Sequence, residues 1–152
     1  MPYGSQIWGQ YVNSNVKRII KLQNKAIRII SQVGPREDVK AHYMESKILN
    51  FANEVKLKNF LFVYDNLRDN VPKCLKNKFT YIDDTHDHNT RNTGKRCVLL
   101  PNSRTLVYGL HSITDQSARV WNHLQIALSS ENLQQLSRKL CKHKISTYLM
   151  QS

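Results

Sequence analysis

Between Asn15 and Ser31 the apolar residues Val16, Ile19, Ile20, Ala26, Ile27 and Ile30 recur at helical spacing, and this run constrains the fold more than any other in the chain. A segment with that period cannot enter a sheet without turning half of its apolar residues to water. Ser14 or Asn15 stands where an N-cap belongs, and Gly34-Pro35 stands where the helix is expected to stop. Lys17, Lys21, Lys25 and Arg28 follow at intervals of four, four and three residues, with Arg18 beside them, so the pattern predicts a greasy side and a cationic ridge. No acid occurs between Met1 and Arg36.

The remaining pattern is also mostly helical. A weaker second helix is expected over Asp38 to Ile48, and a third from Asn53 to Leu67 that buries Val55, Phe60, Val63, Tyr64 and Leu67 and is closed by Asn70-Val71-Pro72. Residues 73–96 are polar and turn-rich, anchored only by Leu75, Phe79, Tyr81 and Ile82, and read as an ordered loop. Cys97 to Leu100 and Leu110 to Ile113 read as short strands, with Gly109 marking a bend, and a short helix over Ala118 to Leu124 carries Val120, Trp121 and Leu124. A last helix is expected from Ser129-Ser130-Glu131 to Met150, buried through Leu133, Leu136, Leu140, Ile145, Tyr148 and Leu149. Arg138, Lys139, Lys142 and Lys144 are placed on its other side. Trp8 and Trp121, each among Ile, Val or Leu, read as core anchors. The expected fold class is mainly α: a small helical domain with a basic first helix, an irregular middle loop, one or two short strands and a C-terminal helix.

With 152 residues and no repeat, linker or low-complexity stretch, one domain is expected. Its 23 Lys and Arg against 11 Asp and Glu leave a net charge of +12. The excess is +6 over residues 1–60, +2 over 61–100 and +4 over 101–152, so the two ends are basic and the middle is nearly balanced. A polyanion is the partner that offsets such self-repulsion, and nucleic acid is the first candidate. No apolar run approaches the ~20 residues of a membrane span, and Met1 to Gln6 carries no secretory pattern. Cys74, Cys97 and Cys141 are an odd, scattered set, which fits a reducing compartment, nucleus or cytoplasm, better than a disulfide framework.

Chemistry is harder to find. Tyr81-Ile82-Asp83-Asp84 matches the Tyr-x-Asp-Asp string in which reverse transcriptases hold two Mg²⁺ ions, but Thr85-His86-Asp87-His88-Asn89 after it cannot be the buried strand that motif requires, and an exposed acidic turn is expected instead. His86, His88 and Cys97, with Cys74 or His111, match zinc spacing poorly. No serine sits in a nucleophile elbow and no glycines cluster into a phosphate loop. No catalytic residue, cofactor or metal is therefore assigned. The nucleic-acid-binding candidates are Lys17, Arg18, Lys21, Lys25 and Arg28, joined by Arg138, Lys139 and Lys142. Aromatics do not interleave with the basic residues, which points to duplex backbone rather than stacked single strand.

Several strings occur together: Tyr3-Gly4-Ser5-Gln6-Ile7-Trp8-Gly9, Leu22-Gln23-Asn24-Lys25-Ala26-Ile27-Arg28-Ile29-Ile30, His86-Asp87-His88-Asn89-Thr90-Arg91, Leu100-Pro101 with Arg104-Thr105, Tyr108-Gly109, Ser112-Ile113 and Trp121-Asn122-His123-Leu124. In that order and spacing the chain resembles the region after the polymerase palm in reverse transcriptases of non-LTR retrotransposons, of the LINE type related to jockey and chicken-repeat elements. The resemblance covers almost the whole chain. It implies a thumb-like segment over 1–31, lying along the template–primer duplex, and a post-thumb helical extension over 32–152 packed with it as one unit. It further implies that fingers, palm and catalytic aspartates are missing, so that Asp83-Asp84 are not the catalytic pair and the chain is no enzyme on its own. Gln125 stands where the family usually has Pro after Trp-Asn-x-Leu, which is expected to loosen the last turn. The expected capacity is sequence-independent binding of an RNA–DNA hybrid or other duplex. The alternative is a protein-interaction or self-association module using exposed apolar surface.

Overall fold

The computed structural model describes residues 14–85, 96–102, 112–128 and 135–151, together with Ser5, Thr105 and Leu133. Five α-helices make up most of this: α1 Ser14–Ile30, α2 Lys40–Glu45, α3 Phe51–Leu67, α4 Ile113–Ala127 and α5 Arg138–Gln151, with a 3₁₀ turn at Lys73–Leu75. The protein is mainly helical, as the pattern predicted. Among the described residues no strand forms, only an antiparallel bridge between Tyr81 and Val98. That bridge is the remnant of the strand expected over Cys97 to Leu100. Ile113, expected to end a second strand, instead opens α4, because Ser112 in extended conformation accepts a hydrogen bond from Asp115 N and caps the helix.

The core is built around α3. Its Leu57, Phe60, Leu61, Val63 and Tyr64 pack with Ala118, Trp121 and Leu124 of α4 and Cys141, Ile145 and Leu149 of α5, closed over by Phe79, Val98 and Leu133. Trp121 is the expected anchor: its ring stacks on Phe60 with centroids 4.6 Å apart, and its Nε1 donates to Arg96 O at 3.1 Å. Trp8 lies outside the described residues. Asn122 fastens the 96–100 segment to α4 by a two-point amide clamp, accepting from Val98 N and donating to Val98 O, both at 2.8 Å.

Helix α1 stands apart from that core, on a smaller cluster of Val16, Phe51 and Val55 with Ile19 and Ile20 beside it. A second amide clamp holds it. Gln23 donates to Leu49 O at 3.0 Å and accepts from Phe51 N at 2.8 Å, joining α1 to the entry of α3, where Asn50 caps by accepting from Asn53 N. The underside of α1 is narrower than its isoleucines suggested: Ile30 is 65% exposed, with Ile29 at 68% and Leu22 at 66%.

Helix ends are set by residues the sequence does not flag. After α1, Gln32 adopts φ 54°, with Gln32 N donating to Ile29 O and Val33 N to Arg28 O; Lys47 and Asp69 repeat this Schellman pattern after α2 and α3. Gly34 and Val71-Pro72 therefore follow stops already made. At the other end, α5 starts at Arg138, capped by Ser137, and not near Ser129, Ser130 and Glu131, which lie outside the described residues; Leu133, Gln135 and Leu136 are not helical. Helix α4 runs through a buried Gln125 to Ala127, so the turn expected to be loose there is helical.

Candidate nucleic-acid interface

The ridge predicted on α1 is present. Lys17, Arg18, Lys21 and Lys25 are all exposed, and at about 100° per residue they occupy one arc of roughly 100° on the helix. Among the described residues none of the four forms an ion pair. The first turn of α1 carries no acid. Arg28 differs: its Nε and Nη2 donate to Glu37 O at 3.3 and 3.2 Å, which ties the α1 end to the following turn. The same guanidinium sits near Tyr43, where it partly offsets the burial that raises the phenol pKa. Beside the ridge, Leu22, Ala26 and Ile29 form a narrow apolar stripe open to solvent.

The C-terminal cations repeat this design only in part. Arg138, Lys142, Ile145 and Leu149 fall at successive helical steps of four, three and four residues, so Arg138 and Lys142 share a row with the buried side chains and do not oppose it. Arg138 accordingly reaches back to α3 and grips Asp65 through contacts of 2.8, 3.1 and 2.9 Å, hydrogen bonds that push its pKa up. Arg138, Lys142 and Lys139 are exposed and fall within one arc of roughly 100°, with Lys144 on the opposite side of the helix.

Tyr81-Ile82-Asp83-Asp84 folds as the expected acidic turn. Ile82 N donates to Cys97 O at 2.9 Å, the chain turns with Asp84 N on Tyr81 O at 3.3 Å, and Asp84 is exposed. Cys97 and Cys141 are buried and Cys74 is exposed, and none of them is in a disulfide; burial pushes the Cys141 thiol up to about 11. His86, His88 and His111 lie outside the described residues, and among the described ones no group of three or more His, Cys, Asp or Glu converges as a metal site. No described helix is long and apolar enough to cross a membrane.

A cleft of about 740 Å³ went unforeseen. It opens between α1 and α2 on one side and α4 and α5 on the other, over the entry of α3. Its floor includes Leu124 and Leu149, and Lys40, Lys56, Arg119 and His123 stand among its lining residues against one acid, Asp38. Five elements contribute to it, so no local window of sequence could show it. No protein-family model, curated protein or solved structure matches the chain.

Proposed function

We propose that this protein binds nucleic-acid duplexes without regard to sequence, through the α1 ridge, and that it is a piece of the post-palm region of a non-LTR retrotransposon reverse transcriptase, binding without catalysing. The observation that carries the binding reading is the set Lys17, Arg18, Lys21 and Lys25: four exposed cations on one arc of one helix, in a stretch of sequence with no acid. Phosphates spaced along a duplex release counterions when such a row lies on them, which supplies sequence-independent affinity. Arg28 and Arg138 act as struts in this reading, since their guanidinium groups already hold Glu37 O and Asp65.

Four phosphate contacts give a log–log salt slope of about −3.6 on B-form DNA. Anisotropy titrations of wild type and the Lys21→Glu, Lys25→Glu double variant against duplex DNA, RNA–DNA hybrid and single-stranded RNA at two salt concentrations test the reading. The double variant is expected to lose most of the affinity and much of the slope; unchanged binding removes the ridge from consideration. A second reading, self-association or docking of a protein partner, is favoured by the open stripe at Leu22 and Ile29. Light scattering separates the two: a dimer insensitive to salt and unmoved by nucleic acid speaks for the second.

A further inference from the structure

We propose that the cleft beside α1 takes an unpaired nucleotide at the end of the nucleic acid whose duplex lies along the ridge; this inference rests on the duplex-binding reading and adds a second site to it. The two surfaces adjoin on one helix. Asn24 lines the cleft and stands three residues after Lys21, one helical step from the ridge. A strand leaving the duplex at Lys21 is therefore one helical step from the lining of the cleft.

The lining fits a nucleotide better than an aliphatic chain. Three amides sit in it with part of their hydrogen-bonding capacity unspent: Asn24 uses its Oδ1 to accept from Tyr43 Oη at 2.8 Å, Asn50 uses its Oδ1 for Asn53 N at 2.8 Å, and Asn53 uses its Nδ2 to donate to Leu149 O at 2.6 Å. Two carboxamide NH₂ groups and one carbonyl remain, a mixed set suited to the edge of a base, which carries donors and acceptors around a flat apolar ring. Apolar surface is supplied by Met44 and Ile48, both cleft-lining and both solvent-exposed despite their size. Lys56 at the lining supplies a cation for the phosphate. A volume of about 740 Å³ lies within the roughly 300–1,000 Å³ of small-ligand sites.

The test uses the full chain and three fluorescent probes: a short blunt RNA–DNA hybrid, the same hybrid with a single-stranded extension, and that extension built from abasic residues, which keeps the phosphates and removes the bases. The base-bearing extension is expected to tighten binding about tenfold over the blunt hybrid, and the abasic one to give little of that gain. Ala52→Trp, an exposed lining position where a large ring fills the cleft at constant charge, is expected to abolish the gain and leave blunt binding as it was. Lys56→Gln, also exposed, is expected to reduce it. Equal binding of blunt and extended probes by wild type overturns the inference, as does an equal gain from the abasic extension or a gain retained in Ala52→Trp. Those results leave the ridge standing if Lys21→Glu with Lys25→Glu still weakens the blunt hybrid; failure of wild type to bind any probe overturns both.

Discussion

Helix α1 and the α3–α4–α5 bundle are held by different forces. The bundle is a packed apolar interior in which Phe60, Val63, Trp121, Leu133, Cys141 and Ile145 are almost wholly removed from water. Helix α1 buries only Val16 and Ile27 fully and leans on polar fasteners, the Gln23 clamp and the Asn24–Tyr43 hydrogen bond. Each such bond contributes about 1 kcal/mol, against about 2–3 kcal/mol for a fully buried large apolar side chain. The bundle is thus the stable body, and α1 is a lightly attached arm that carries the charge. A row of cations without acidic partners is costly to bury, which explains why this helix makes so few apolar contacts.

The largest test of that contrast is Trp121→Ala. Removing the ring that stacks on Phe60 is expected to cost about 3–5 kcal/mol in chemical denaturation and to lower the midpoint for every probe together. A small, α1-only change would erase the distinction between body and arm.

Alkaline pH is expected to strike the body next. Burial raises the Cys141 thiol from 9.0 to about 11, so the folded state holds this proton more tightly than the unfolded chain. Its contribution is complete below pH 9 and is lost as pH rises towards 11, on the order of 2 kcal/mol. Tyr64, also raised by burial, acts in the same direction. Denaturant midpoints across that window check it, and Cys141→Ala is expected to flatten the early part of the profile.

Val16→Ala addresses the arm. It removes packing against Phe51 and Val55 worth about 1–2 kcal/mol, and the loss is expected as faster amide exchange in α1 while the bundle keeps its protection. Uniformly faster exchange in both would show one cooperative unit. The smallest effect belongs to Gln32→Gly, which relieves a left-handed residue at the α1 terminus and is expected to slow fraying there, stabilising by about 0.5 kcal/mol in the same exchange measurement.

The sequence shows the arm more clearly than the body. Period and charge in α1 are local, so its span and its ridge are legible from Val16 to Arg28. Helix α3 is likewise visible through Val55, Phe60, Val63 and Tyr64. The boundaries set by Gln32, Lys47 and Asp69 are not, because nothing distinguishes a Gln or Lys that must turn left-handed from one that continues a helix. On α5 the role of Arg138 was not legible for a related reason: it falls in the row of Ile145 and Leu149 and meets Asp65 of α3, a partner set by tertiary packing. The cleft needs five elements in place before it exists. The strings behind the retrotransposon resemblance hold several of the residues that do the fastening, including Gln23, Asn24, Arg28, Trp121 and Asn122, and their part as clamps appears only once the backbone they grip is placed.

The Gln23 clamp has a mechanical consequence. One carboxamide straddling Leu49 and Phe51 ties the charged rod to the trunk at a single level, so altering that side chain loosens the rod's pitch while the keel of the molecule stays untouched.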